Sequence, residues 1–172
     1  MNLQPEPQSL MSVVVKISSV LGNESFAAGD RAALRRMQPG HPPPLAFYRF
    51  AMRYLPESWE TKLDDWVAVT AGMALMSPQA HDPTRGMGKV LAEAGYSEAR
   101  LERLLASEGE VRRLLLLRAA RFLAAKGFSM NWVDGAVFLL TDDGNKREAL
   151  HRRIAKEFYD TQYQIERRQG VS

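Results

Sequence analysis

The chain contains no cysteine among its 172 residues. That excludes disulfides, a thiolate nucleophile, iron–sulfur clusters and thiolate zinc sites, and it fits a reducing compartment. Histidine is scarce too. His41, His81 and His151 lie on separate segments without the local spacing of a metal site. No run approaches the roughly 20 uncharged apolar residues that cross a bilayer. The apolar run Met11 to Leu21 is broken by Lys16 and lacks both a basic start and a small-residue cleavage site, so it does not read as a secretory signal. Alternation of period two is missing everywhere, and the one β-branched run, Val13 to Val15, has helical flanks. These absences point to a soluble cytoplasmic protein without sheet, membrane segment or cofactor.

What is present is ordinary for a folded chain: 45% hydrophobic and 25% charged residues. The length suits one domain. Breakers divide it: Pro5 and Pro7, the run Gln38-Pro-Gly-His-Pro-Pro-Pro44, and Ser77 to Gly88 with Pro78, Pro83, Gly86 and Gly88. Residues 1–10 are expected to form a frayed extension and residues 11–172 one helical domain. A division into two sub-bundles near 77–95 is left open.

Between breakers the apolar spacing is helical. Ser97 reads as an N-cap before Leu101, Leu104 and Leu105, and Gly95 ends the short helix Lys89 to Ala94. Leu150, Ile154, Phe158, Thr161 and Ile165 form an i, i+4 ladder on a last helix over about 145–168, opened by a turn at Asp142-Asp143-Gly144 with Asp143 as its cap. Residues 58–76 repeat Trp59, Leu63, Trp66, Val67, Thr70, Met73 and Ala74 with the same period. Asp30 reads as the N-cap of another helix. The expectation is an all-α bundle of about eight or nine helices. The helix over 110–126 is apolar nearly all round, with Leu114 to Leu117 consecutive, and so belongs in the core. Its Arg112, Arg113, Arg118, Arg121 and Lys126 must therefore reach solvent, pair with acids or meet an anionic partner.

Positive charge is uneven. Residues 1–110 carry 11 basic against 13 acidic side chains, and residues 111–172 carry 12 against 7. On the last helix, Arg152, Arg153, Lys156 and Arg167 lie opposite the apolar ladder, with Tyr159 and Tyr163 on the basic side. Cations for phosphates beside rings for bases suit a nucleic-acid strand. A solvated face with tyrosines covering a helix edge is the bland alternative. Arg31, Arg35 and Arg36 crowd a second helix with no carboxylate among residues 31–37. An anionic partner, or pairing with an acid on another helix, would relieve them.

Catalytic constellations fail one by one. His81-Asp82 has no nucleophile beside it. Gly86-Met-Gly-Lys89 lacks the two glycines five apart of a phosphate loop, Val90 follows the lysine in place of Ser or Thr, and no strand precedes it, although glycines opening a helix near a lysine could hold one backbone phosphate. Asp64-Asp65 and Asp142-Asp143 are adjacent pairs whose side chains diverge. Trp59, Trp66 and Trp132 are expected in the core.

Several segments occur together in order: Gly29-Asp-Arg-Ala-Ala-Leu-Arg-Arg-Met37, Phe47-Tyr-Arg-Phe50, His81 followed by Gly88-Lys-Val-Leu-Ala92, Gly95-Tyr-Ser-Glu-Ala-Arg100, Leu101 to Leu105, Asn131-Trp132, and a basic helix ending near Phe158-Tyr159. Over about residues 27–165 the chain resembles the CasB family, the small subunit of the type I-E CRISPR complex Cascade. The resemblance implies a compact helical fold without enzymatic activity. It implies a head-to-tail dimer in the complex that contacts the large and backbone subunits, touches guide RNA and stabilises the displaced single DNA strand of the R-loop. By position it assigns strand binding to Arg35, Arg36, Lys89, Arg118, Arg121, Lys146 and Arg147. Arg31, Arg152, Arg153 and Lys156 join them from the charge pattern. The proline run 42–44 and the extension 1–10 depart from the family. Two other readings stay open: a protein-only adaptor whose arginines meet acidic partners, and a helix-turn-helix regulator, for which no recognition helix is evident.

Overall fold

A computed structural model describes residues 9–170, and most of the expected extension, residues 1–8, lies outside them. Among the described residues, nine α-helices and one 3-10 segment follow in order: α1 Leu10–Gly22, α2 Ala28–Arg35, α3 Leu45–Tyr54, the 3-10 segment Glu57–Lys62, α4 Leu63–Met76, α5 Met87–Glu93, α6 Glu98–Ala106, α7 Gly109–Ala125, α8 Trp132–Leu140 and α9 Gly144–Gln169. The described residues hold no strand. An isolated bridge between His81 and Met130 ties the loop before α5 to the loop before α8. The all-α expectation is met. No helix among the described residues is long and apolar enough to cross a membrane.

Local signals act where the sequence carries them. The Ser97 side chain accepts from the Arg100 N–H, and Asp143 accepts from the N–H groups of Asn145 and Lys146, so both caps form. Ser9 caps α1 in the same way. Gly95 takes φ +80° just past α5, a turn that L residues with a Cβ resist. Asp30 does not cap α2. The helix begins earlier, with Ala27 at the cap position, after a turn in which the Asn23 side chain accepts from the Ser25 N–H and hydroxyl. Asp30 instead sits in the first turn and pairs with Arg49 at 2.9 Å.

One apolar cluster takes side chains from all nine helices. Its centre is α4, where Trp66 through Ala74 are all buried, and α7 packs along it. Trp59, Trp66 and Trp132 are core residues, as expected. Trp132 is fully enclosed, and Gly72 of α4 exists to admit it, since a Cβ there would collide with the indole ring. The ladder of α9 buries Leu150, Ile154, Phe158 and Thr161 and half-buries Ile165. This helix lies across α5, and the opposite side of it is left to solvent.

Candidate nucleic-acid interface

The basic side chains separate into two groups by what their donors touch. The first group is turned onto helix C-termini, whose last carbonyls lack intrahelical partners and carry partial negative charge. Arg31 donates to the carbonyls of Leu21 and Asn23 at the end of α1. Arg35 donates from Nε to the Ala74 carbonyl at 2.9 Å and from Nη2 to Ser77 Oγ, closing α4. Lys126 reaches the Ala94 carbonyl past α5. Three cations meet at the end of α8: Arg112 on Phe138, Lys62 on Leu140 and Arg147 on Thr141, each to a carbonyl oxygen.

Arg112 is the most enclosed of these, 5% exposed. It also donates to the Ser107 carbonyl, contacts His151 Nε2 at 2.9 Å and lies over the Phe138 ring at 3.4 Å. Burial, reinforced by nearby Arg147, pulls its guanidinium down to about 10, so it remains a cation at neutral pH. Of the four basic residues on α7 and Lys126 at its C-cap, Arg112 and Lys126 serve carbonyls, and Arg113 pairs with Asp65 of α4 at 2.7 Å. Arg118 and Arg121 stay exposed on the outer face.

Those two belong to the second group, whose side chains make no hydrogen bond and, Lys89 apart, no ion pair among the described residues. Arg36 ends α2 beside a shallow hollow formed with Met37, His41, Pro42 and Pro44. Lys146 opens α9. Arg152 and Lys156 lie on its solvent side, bordering a depression with Arg153 and Asp160. Lys89 is exposed with only a loose approach to Glu93, 4.0 Å, and Glu93 is already held by Arg85 at 2.7 Å. Arg153 is different: its Nη2 pairs at 2.7 Å with Asp134, and its Nη1 approaches Glu157 at 3.5 Å.

The backbone phosphate that the glycines before α5 could hold has no room. Asp134 accepts from the Met87 N–H at 3.1 Å, and Glu157 lies where a Cβ on Gly86 would project. The protein's own carboxylates occupy that helix start. Gly86 and Gly88 are small because α9 crosses against them. Burial pushes the Glu157 carboxyl up, with Arg153 opposing. His81 is a structural acceptor: its Nδ1 takes the Trp132 N–H at 3.0 Å. Asp82 turns away to accept from Thr84. Among the described residues no three His, Asp or Glu side chains gather as a metal site.

Comparison with protein families matches the chain to CRISPR-associated protein Cse2 over residues 30–159. The chain belongs to the Cse2 family. Cse2, also called CasB, is the small subunit of type I-E Cascade, so the resemblance read from the sequence holds. No curated protein matches the chain. The matched region runs from Asp30 through Tyr159 and so includes Arg36, Lys89, Arg118, Arg121, Lys146, Arg152 and Lys156.

Sequence reasoning passed over Asp134, which is buried and organises both the start of α5 and Arg153. Its signal was present: it is the one charged residue in the otherwise apolar α8. It also passed over an open groove of about 810 Å³ beside α3, lined by Val20, Phe26, Tyr48, Phe50, Met52 and Tyr54.

Proposed function

We propose that this Cascade small subunit is non-catalytic and holds guide RNA and the displaced DNA strand through Arg36, Lys89, Arg118, Arg121, Lys146, Arg152 and Lys156. Arg31, Arg35, Arg147 and Arg153 then act as the frame that presents those residues. The observation that carries this reading is the sorting on α7 and α9. Cations near a carbonyl or carboxylate are engaged by it, while Arg118, Arg121, Arg152 and Lys156 keep all their donors for solvent or a ligand.

Such contacts neutralise phosphates and do not read bases. In RNA-guided recognition, base pairing reads the sequence, and strand exchange is nearly balanced. Holding the displaced strand by a few phosphate contacts is enough to oppose reannealing. The head-to-tail pairing implied by the family would set two such faces in series.

The test is fluorescence anisotropy of a labelled single strand of about 30 nucleotides with the full chain across salt concentrations, with duplex of the same sequence beside it. Binding is expected to fall with salt at a slope near −0.7 per phosphate contact. A variant carrying Ala at 118, 121, 152 and 156 is expected to bind more weakly with a flatter slope and unchanged helicity. Native slope and affinity in that variant would remove these residues from the contact surface.

A further inference from the structure

We infer that the Tyr163 ring, seated on Tyr159, is a stacking site for an unpaired nucleobase of a bound single strand. This rests on the strand-binding reading and adds to it a contact that phosphate neutralisation does not supply. Tyr159 and Tyr163 lie one helical turn apart on α9, with ring centroids 6.3 Å apart and planes 29° from parallel. The lower ring is fixed twice over. Tyr159 donates its hydroxyl to Glu98 of α6 at 2.5 Å, and it meets the fully buried Phe158 edge-on at 5.6 Å. Tyr163 is therefore supported from beneath while remaining 55% exposed. Its other face has no ring or cation against it among the described residues.

The surroundings favour a nucleic acid over an apolar protein segment. At 100° per residue, Arg152, Lys156, Tyr159, Tyr163 and Arg167 fall within about 80° of one another, opposite the buried ladder. The cations bracket the ring pair over about 22 Å of helix. Arg152, Lys156 and Arg167 are exposed and make no hydrogen bond or ion pair among the described residues. A single strand lying along this line has phosphates near the cations and a base within reach of the ring. A duplex keeps its bases stacked on one another, so the ring would add affinity for single strands only. Stacking tolerates any base, in keeping with a subunit that does not read sequence.

The experiment compares Tyr163→Ala and Tyr163→Phe in the full chain, on two labelled strands: an ordinary single strand of mixed sequence and a strand of the same length with abasic sugars throughout. The native chain is expected to prefer the base-bearing strand. Tyr163→Ala is expected to weaken that binding at least about five-fold and leave the abasic strand and the salt slope unchanged. Tyr163→Phe is expected to bind as the native chain does. Native affinity of Tyr163→Ala for the base-bearing strand overturns the stacking site while leaving the phosphate contacts standing. Equal losses on both strands, or a loss in Tyr163→Phe as large as in Tyr163→Ala, overturn it also. A native chain that ignores both strands overturns the stacking site together with the strand-holding reading.

Discussion

Arg153 and Asp134 form an ion pair of 2.7 Å in which the carboxylate is 2% exposed and the guanidinium is 50% exposed. The pair joins α9 to α8, and the same carboxylate accepts from the start of α5. A residue that looks from the sequence like part of a binding face thus neutralises the buried acid at a three-helix junction. Removing the cation leaves the carboxylate with one backbone donor. Arg153→Ala is expected to lower stability by about 1–3 kcal/mol, the range for leaving a buried acceptor short of its partner. The check is a lower urea midpoint with unchanged m-value. Arg152→Ala, one residue earlier and exposed, is expected to stay within about 0.5 kcal/mol of native. Equal midpoints for the two variants would show that the pair contributes nothing.

The neighbours Arg35 and Arg36 should separate in the same manner. Arg35 closes the last turn of α4, and its loss is expected to cost about 1 kcal/mol. Arg36 touches nothing comparable, so Arg36→Ala should be neutral in stability and weaken strand binding. Thermal unfolding and anisotropy on the two single variants decide this. A stability loss confined to Arg36→Ala would reverse the assignment.

This pair also marks the boundary of what the sequence discloses. The ladder of α9, the caps at Ser97 and Asp143 and the tryptophan core are written in neighbours three or four residues apart, and they were legible. So was the crowding of α7, whose leucines demand burial while its arginines demand partners. The choice among those partners was not legible. Arg35 finds its carbonyl on Ala74 and Arg112 finds one on Phe138, groups present in every residue and far along the chain. A carbonyl leaves no trace in residue type. Counting carboxylates near an arginine therefore overstated how many cations are free. The start of α5 was misleading for a related reason: Gly86 and Gly88 look like room for a phosphate but are the space into which α9 fits.

Acid should loosen the fold before carboxylates titrate. Burial holds His81 below its ordinary value, with Asp82 and Asp134 opposing, and its Nδ1 must stay unprotonated to accept from Trp132. Burial, then Arg112 and Arg147, hold His151 down likewise, with Glu148 opposing. The unfolded chain takes these protons at about 6.5. Stability is thus complete above that pH and declines as pH falls through it toward the lower folded values. Glu157, raised in the fold, works in the opposite sense at lower pH. Urea midpoints at pH 8, 6 and 5 test this, and the decline should shrink in a His81→Asn, His151→Gln variant. A midpoint that is flat from pH 8 to 5 in the native chain would contradict it.

Two glycines offer a contrast in backbone crowding. A Cβ on Gly29, inside α2, meets nothing within 4 Å. Gly29→Ala is expected to stabilise by about 0.5–1 kcal/mol through helix propensity. A Cβ on Gly88 would overlap the Ile154 carbonyl, which is backbone and cannot rotate aside. Gly88→Ala is expected to cost about 1–3 kcal/mol or more. Denaturant midpoints that move the same way in both variants would refute the contrast.

The contact at Gly88 has an effect on the far side of α9. A helix seated backbone to backbone has little freedom to slide or turn about its axis. The bare glycine therefore works as an index mark, fixing the azimuth at which Arg152, Lys156, Tyr163 and Arg167 face outward. A larger residue there would swing the outer row out of alignment with a bound strand without touching any member of it.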